Sequence, residues 1–208
     1  MAPRVSAQAQ LGDPRAPPTH NARPDAEAEM GIEIERKFLV TGDAWRAVAE
    51  RCEDMAQGYL NDQDAVASGR ERASVRVRLE GGRARLNIKS RAVGHTRQEF
   101  EYPLPLDDAE ALLALCAGGL VRKRRHFVRE DGWLWEVDEF LDANAGLVVA
   151  EIELPSADAA FARPAWLGPE VTDCLRYYNQ VLSARPYAQW SEDERLARDV
   201  AADSPARG

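Results

Sequence analysis

The sequence predicts an α+β domain built around one antiparallel β-sheet of about eight strands. Apolar and polar residues alternate with a period of two along many short segments, and such alternation places them on opposite faces of a strand. The turn signals Glu80-Gly81-Gly82 and Asp131-Gly132 join successive segments as hairpins, which makes the neighbouring strands antiparallel. The predicted strands cover residues 32–40, 56–60, 73–79, 83–90, 96–102, 121–129, 133–140 and 147–154.

Two or three helices are expected between and after these strands. Asp43 is a candidate N-cap for the first helix, and Asp107 with Glu110 resembles a capping box that opens the second. Ser191 with Glu194 forms another capping box and predicts a short exposed helix in the tail. The expected helices cover residues 44–53, 108–116 and 171–184, and the polar stretch 61–70 is expected to be a loop.

Composition narrows the class of protein. The 208 residues suffice for one domain with a substantial core, and a formal charge of -8 argues against a nucleic-acid partner. The chain shows no apolar run as long as a membrane span and no signal-peptide core, so we expect a cytoplasmic protein without a membrane partner. The cysteines and histidines show neither C-x-x-C spacing nor a local cluster, so we predict neither a disulfide framework nor a zinc site.

The two ends of the chain differ from its middle. Residues 1–30 are rich in Ala, Pro, Arg, Gln and Asp and have almost no large apolar side chains beyond Val5 and Leu11. Such a segment cannot bury enough surface to offset its ordering entropy, so we expect disorder there. Residues 191–208 are expected to form a terminal helix and tail.

The polar faces of the predicted strands are almost purely ionic, and each strand tends toward one sign of charge. If the sheet curls into a barrel, these faces point into one channel. The acidic members are Glu33, Glu35, Glu99, Glu101, Glu136, Asp138, Glu151 and Glu153. The basic members are Lys37, Arg76, Arg78, Lys89, Arg97, Lys123 and Arg125.

Segregated charges of this kind suit a chain of phosphates bound together with a metal ion. Arginine binds phosphate oxygens in a bidentate manner, and lysine supplies a point charge. Carboxylates bind hard divalent cations, and magnesium commonly takes one or two of them and completes its shell with water and substrate phosphates. The other interpretation, a solvated outer face of a sheet laced with ion pairs, remains open on these residues alone.

The ordered set of charged motifs resembles the CYTH domains, the triphosphate tunnel metalloenzymes. The first motif is Glu33-x-Glu35-x-Lys37, which is weak alone but specific together with the others. These are Val75-Arg76-Val77-Arg78, Ile88-Lys89, Arg97-x-Glu99-Phe100-Glu101, Lys123-x-Arg125, Trp135-Glu136-Val137-Asp138-Glu139-Phe140 and Ala150-Glu151-Ile152-Glu153-Leu154. The resemblance covers about residues 31–190 and implies an eight-stranded antiparallel β tunnel, a closed barrel with helices packed outside.

The resemblance also implies an activity and a cofactor. Its compact form looks most like that of bacterial inorganic triphosphatases, which hydrolyse inorganic triphosphate (tripolyphosphate) with Mg²⁺ or Mn²⁺. By this resemblance the metal would be held by Glu33, Glu35, Glu151 and Glu153. The phosphates would be bound by Lys37, Arg76, Arg78, Lys89, Arg97, Lys123 and Arg125. Lys37, Glu136 and Asp138 would take part in catalysis, the two acids by binding a second metal or by activating the attacking water.

Other functions fit the same residues. A class IV-type adenylyl cyclase and a thiamine triphosphatase share the charged set, which does not encode the substrate. A non-catalytic module that binds polyphosphate or nucleotide is an alternative of another class. The intact acidic set argues against it, because binding a polyanion needs the bases more than the carboxylates. The expected partner is a small anionic substrate, and a homodimer is left open.

Overall fold

The computed structural model describes residues 34–90, 98–156 and 158–197, and these build one antiparallel sheet of nine strands. Along the sheet the strands follow the order β5-β4-β3-β2-β6-β7-β8-β1-β9. Their bounds are β1 Ile34–Val40, β2 Ala49–Tyr59, β3 Ala73–Glu80, β4 Arg83–Ser90, β5 Glu99–Leu104, β6 Val121–Glu130, β7 Trp133–Phe140, β8 Val148–Leu154 and β9 Leu167–Glu170.

The sheet differs from the expected closed barrel of eight strands. Within the described ranges β5 and β9 are its two edges, and no pairing joins them. The ninth strand pairs with β1 at Phe38–Glu170 and Val40–Leu167, so it occupies the edge of β1 that a closing strand would need. Its short sequence has little strand character, but a Cβ at Gly168 would lie only 2.9 Å from the Leu39 carbonyl oxygen. Glycine therefore allows the close approach of β9 to β1.

Both predicted hairpin turns are confirmed. Gly81 and Gly82 have φ angles of +52° and +76°, and Asp131 and Gly132 have φ angles of +51° and +83°. Positive φ at both central residues is the mark of the tight turn that matches the right-handed twist of the flanking strands. These turns fix the registers of β3 with β4 and of β6 with β7, and so decide which charged side chains lie side by side.

The helices are shorter than predicted. Four α-helices are described, together with four short 3₁₀ segments, and one of these segments, Ala44–Val48, replaces the first half of the helix expected over 44–53. The rest of that stretch belongs to β2, because residues from Ala49 onward pair with β6. The α-helices are α1 Gln63–Ser68, α2 Leu106–Leu113, α3 Asn179–Ala184 and α4 Glu192–Arg195.

Capping explains where these helices begin. Asp62 caps α1 through a bond from the Asp64 backbone N–H, within a stretch expected to be a loop. The predicted box at Asp107 is wrong, because α2 already begins after Pro105. The Ser191 box at the start of α4 is confirmed, with both reciprocal bonds present.

Three apolar clusters hold the sheet, and one of them lies on the same face as the charged residues. Two clusters pack on the opposite face, one around Trp135 and the other beneath α2. The third joins the ends of β6, β7 and β8 to the C-terminal segment through Phe140, Tyr177, Leu182 and Trp190. The C-terminal segment therefore covers one end of the charged face. No helix within the described ranges is long and apolar enough to cross a membrane.

Candidate active site

Seven strands line one cavity of about 830 Å³, and six of them contribute charged side chains to it. Because β4 and β1 both contribute to it, although five strands separate them in the sheet, the sheet curves around the cavity. The C-terminal segment supplies the remaining lining. The charged lining residues are Glu35, Lys37, Arg76, Arg78, Lys89, Arg125, Glu136, Glu151 and Glu153.

One side of the cavity, here called the paired wall, comes from β1, β6, β7 and β8. It comprises Glu35, Lys37, Arg125, Glu136 and Glu151 at the surface, with Lys123 and Asp138 beneath them. Cross-strand pairing sets these contacts, since Lys37 lies opposite Glu151 and Arg125 lies opposite Asp138 in the sheet register.

Arg125 is the hub of the paired wall. Its guanidinium binds Asp138 in a bidentate manner, with Nε to Oδ1 and Nη2 to Oδ2 both 2.7 Å. The same group contacts Glu136, and its Nη2 lies 2.8 Å from Glu151 Oε2. Burial alone would lower the pKa of Arg125, but Asp138 and the other carboxylates outweigh burial and raise the pKa well above its ordinary value. The planar fork of arginine suits such multiple binding.

Lys37 joins the two carboxylates of β1 and β8. Its ammonium contacts Glu35, and its Nζ lies 2.6 Å from Glu151 Oε1. Burial raises the pKa of Glu35, and the neighbouring Glu151 raises it further. Burial would raise the pKa of Glu151 as well, but Lys123, Lys37 and Arg125 outweigh it and lower the pKa. The Glu35 carboxyl is therefore the less compensated of the two.

Lys123 and Asp138 form a buried ion pair behind the lining. Their side chains are 2% and 0% exposed, and the Lys123 ammonium contacts the Asp138 carboxylate. Burial and the neighbouring Arg125 lower the pKa of Lys123 in spite of this partner. Both residues were expected to act directly on the substrate or its water. The structure places them beneath Arg125, outside the cavity lining.

The opposite side, here called the cationic wall, comes from β3 and β4 and presents Arg76, Arg78 and Lys89. The Nε atoms of Arg76 and Arg78 are buried and have no hydrogen-bond partner in the described ranges. Arg78 forms a long ion pair with Glu80, with Nη1 3.6 Å from Oε2. Burial lowers the pKa of Arg76, and the positive charge of Arg78 lowers it further. These two guanidiniums repel each other and would gain from a bound anion.

Lys89 is the better compensated member of the cationic wall. Its Nζ lies 2.9 Å from Glu99 Oε2 on the edge strand β5. Asn87, on the same face of β4, binds the other oxygen of Glu99 with its side-chain amide. Glu99 is thus a counter-ion on this wall.

The donor chemistry of the paired wall fits a hard divalent cation. Glu35 lies opposite Glu153 in the register of β1 and β8, and both line the cavity next to Glu151. Burial and Glu151 together raise the pKa of Glu35, so a cation there would relieve a real electrostatic cost. In the described ranges no three His, Cys, Asp or Glu residues are already grouped as a metal site. Mg²⁺ and Mn²⁺ tolerate such a partial set, because water and substrate phosphates complete their shells.

Two residues of the predicted site, Glu33 and Arg97, lie outside the described residues. The structure gathers Glu35, Lys37, Glu136, Glu151 and Glu153 with Arg76, Arg78, Lys89 and Arg125 around one cavity.

Sequence reasoning missed several neutral polar residues of the lining. Tyr59 and Asn87 share a face with the charged side chains of neighbouring strands, so the period-two pattern already contained this signal. Tyr178 also lines the cavity, and the Lys37 Nζ lies 5.0 Å from its ring centroid. No local pattern marks Tyr178, because it sits in extended conformation between a 3₁₀ turn and α3.

Comparison with known proteins agrees with this geometry. The model of the CYTH domain family matches residues 31–182. An inorganic triphosphatase of Acetivibrio thermocellus is 41% identical over 164 residues, which are 78% of this chain and 100% of that protein. An inorganic triphosphatase of Nitrosomonas europaea is 35% identical over 157 residues, which are 73% of this chain and 96% of that protein.

Solved structures give the same result. A crystal structure of an inorganic triphosphatase superposes with a TM-score of 0.60 at 33% identity, and the match covers 74% of this chain and 95% of that one. The segment that matches the family model contains all nine strands and every cavity-lining residue. The chain belongs to the CYTH domain family.

Proposed function

We propose that this protein hydrolyses inorganic triphosphate to diphosphate and phosphate in a metal-dependent reaction. The observation that carries the proposal is the cavity, in which a wall of incompletely paired cations faces a wall that offers carboxylates. Two relatives that the chain matches over nearly their whole length are named inorganic triphosphatases, which supports the same substrate.

The substrate would bind along the cationic wall. Arg76 and Arg78 would donate hydrogen bonds to phosphate oxygens, because the Nε of each guanidinium is buried and has no hydrogen-bond partner among the described residues. Lys89 would add a point charge, and Arg97 is proposed to do the same from its place before β5. Binding would replace the repulsion between the two arginines by attraction to the substrate.

The metal would be held on the paired wall by Glu35, Glu151 and Glu153, together with Glu33 two residues before Glu35. When bound, Mg²⁺ or Mn²⁺ would neutralise phosphate charge and lower the pKa of a bound water. Lys37 lies between Glu35 and Glu151, so it would orient both carboxylates and contact the terminal phosphate.

Hydrolysis needs positioning and charge neutralisation more than covalent chemistry. A water oxygen attacks the terminal phosphorus, the bond from that phosphorus to the bridging oxygen breaks, and the bridging oxygen leaves with diphosphate. Glu136 would accept the proton of the water, because burial raises the pKa of its carboxyl and favours the protonated form. Arg125 would hold Glu136 in place, while Lys123 and Asp138 would hold Arg125.

Phosphate release tests the proposal. Inorganic triphosphate, ATP and thiamine triphosphate are each supplied with Mg²⁺, Mn²⁺ or EDTA, and cyclic AMP is measured with ATP. We expect rapid metal-dependent release from inorganic triphosphate. Release mainly from thiamine triphosphate, or formation of cyclic AMP, would contradict the proposal, and no product from any substrate would indicate a binding module.

A pair of variants separates an enzyme from a binder. The double variant Glu35→Gln/Glu151→Gln should lose turnover but keep triphosphate affinity in EDTA, because repulsion falls when carboxylates are removed. The matched control is Glu192→Gln, an exposed glutamate of α4 that is remote from the cavity lining. It should behave as wild type in both assays. The cytoplasmic location of the protein stays a prediction.

A further inference from the structure

The loop that follows β9 encloses Lys37 from the edge of the sheet. The Lys37 carbonyl oxygen accepts a hydrogen bond from the Val171 backbone N–H at 2.8 Å. The Lys37 backbone N–H donates to the Thr172 hydroxyl oxygen at 3.0 Å. That hydroxyl in turn donates to Glu170 Oε1 at 2.8 Å. Both backbone polar groups of Lys37 are therefore held by consecutive residues of this loop.

The same loop holds the side chain of Lys37 through Tyr178. The phenol ring covers the ammonium, whose Nζ lies 5.0 Å from the ring centroid. The phenol hydroxyl donates to the Thr172 carbonyl oxygen at 2.9 Å, which fixes the ring against the residue that holds the Lys37 backbone. Cation–π contact of this kind stabilises a partly desolvated ammonium and restricts where it can lie.

The surroundings of Tyr178 differ from those of its neighbour Tyr177. Tyr178 stays half-buried and lines the cavity, whereas its neighbour Tyr177 is buried in the apolar cluster with Trp190. The contacts of Thr172 and Tyr178 converge on Lys37 from its backbone and from its ammonium. A long, flexible side chain loses less positional freedom at the moment of reaction when it is held in advance.

We propose that Thr172 and Tyr178 are positioning residues that hold the Lys37 ammonium between Glu35 and Glu151. The proposal rests on the proposed function, in which Lys37 contacts the terminal phosphate in the transfer step. The cationic wall binds the substrate in the ground state without help from Lys37. Loss of the contacts that Thr172 and Tyr178 make with Lys37 should therefore lower kcat much more than it raises KM.

Single variants give the first test. Tyr178→Leu removes the ring and should lower kcat about tenfold, because small displacements of a catalytic group have large effects on rate. Tyr178→Phe keeps the ring and should lose only about two- to threefold. Thr172→Val should lower kcat about fivefold, and Thr172→Ser, which keeps the hydroxyl, should restore it. KM should change less than about twofold in every case.

Tyr187→Leu is the matched control. It makes the same chemical change in the same C-terminal segment, where Tyr187 contacts Trp190 with ring centroids 5.1 Å apart and does not line the cavity. Its kcat should stay within about twofold of wild type. Equal losses of kcat in Tyr187→Leu and Tyr178→Leu would show a general packing effect and overturn the proposal.

A double-mutant cycle with Lys37→Met gives the decisive readout. If Tyr178 acts through Lys37, Tyr178→Leu should change kcat by less than about twofold when Lys37 is already replaced. Additive losses would overturn the proposal. Where turnover of Lys37→Met is too slow to measure, the same cycle is run on the free energy of unfolding in urea, where loss of the Tyr178 ring should cost less when the Lys37 ammonium is absent, and there too additivity overturns the proposal. If the wild-type protein releases no phosphate, the proposed function fails, and the unfolding cycle alone decides whether Tyr178 holds Lys37.

Discussion

The paired wall and the cationic wall both present arginine and lysine side chains, but the paired wall surrounds these cations with carboxylates to a much greater extent. On the paired wall the single side chain of Arg125 contacts three carboxylates, those of Asp138, Glu136 and Glu151. On the cationic wall Arg76 and Arg78 keep buried Nε atoms without a protein partner in the described ranges. The difference shows that the cations of one wall are paired within the protein and that those of the other would gain from a bound anion.

Burial explains why the paired wall must be neutralised internally. Removing one partner of a buried ion pair leaves an uncompensated charge and is strongly destabilising. The side chains of Lys123 and Asp138 are at most 2% exposed, so water cannot compensate either of them. Arg78, with a side chain that is 25% exposed, retains contact with the cavity and can bear incomplete pairing until an anion arrives.

The largest expected effect is on the paired wall. Asp138→Asn should leave Lys123 and Arg125 without their shared counter-charge and lower the free energy of unfolding by roughly 3–5 kcal/mol. Urea denaturation measures this loss. The control is Asp142→Asn, which makes the same change at an exposed residue whose φ of +54° asparagine also tolerates. Equal stability of the two variants would show that the buried pair is not structurally required.

The next effect concerns the cationic wall as a ligand site. In EDTA, inorganic triphosphate at about 100 times its Kd should raise the stability of the folded protein by about 2.7 kcal/mol. A thermal shift measures this gain, which Arg76→Met/Arg78→Met should abolish. Arg122→Met/Arg124→Met, at exposed positions of β6, is the matched control and should keep the gain. Persistence of the shift in the first double variant would place the anion elsewhere.

A smaller effect tests whether the cationic wall acts through geometry or through charge alone. Arg78→Lys keeps the charge but loses the planar fork, so triphosphate affinity should fall about three- to tenfold. Calorimetry in EDTA measures the affinity, and Arg124→Lys at an outward position is the control. An unchanged affinity in Arg78→Lys would mean that charge alone suffices there.

The smallest effect concerns Glu99, which partly neutralises the cationic wall. Glu99→Gln frees Lys89, so triphosphate affinity at neutral pH should rise about two- to threefold. The control is Glu101→Gln on the same strand, because Glu101 pairs with Arg85, which is not part of the lining. A rise of equal size in both variants would point to net charge instead of the local pair.

The same residue gives a pH dependence with a defined sign. Burial alone would raise the pKa of Glu99, but hydrogen bonds from Lys89 and Asn87 outweigh it and lower the pKa below the ordinary value of 4.5. A carboxyl whose pKa is lower in the folded state stabilises the fold above about pH 4.5 and loses that contribution as the pH falls through the folded-state pKa. Below pH 4.5 Glu99→Gln should therefore lose less stability than wild type. An identical acid dependence of the two proteins would contradict this assignment.

The fold was predictable where local signals were strong. Hairpins around Gly81-Gly82 and Asp131-Gly132 need positive φ, and these short motifs allow few other conformations. The strands beside them, β3, β4, β6 and β7, match their predicted positions to within a residue. The helix predicted for residues 49–53 was wrong. These residues pair with residues of β6 that lie more than 70 positions away in the sequence, and this pairing overrides the local helical preference.

The charged side chains of the cavity were predictable because strand periodicity alone decides which residues share a face. The ion pairs between these side chains were not predictable, because they depend on the register between strands that are distant in sequence. Asp138 and Glu136 look equivalent in the sequence, but one is fully buried under Arg125 and the other lines the cavity. Tyr178 owes its place to the path of the loop after β9, which no nearby residue specifies.

The sequence by itself therefore determined the antiparallel sheet and the identity of most charged side chains, since these depend on local period and turn chemistry, and the resemblance of its ordered charged motifs indicated the family. Only the tertiary structure decided that the nine described strands form an open sheet, that the cations of one wall are more fully paired than those of the other, and that Thr172 and Tyr178 contact Lys37. The physical reason is that burial and counter-charge are properties of three-dimensional neighbours, and a single strand does not contain them.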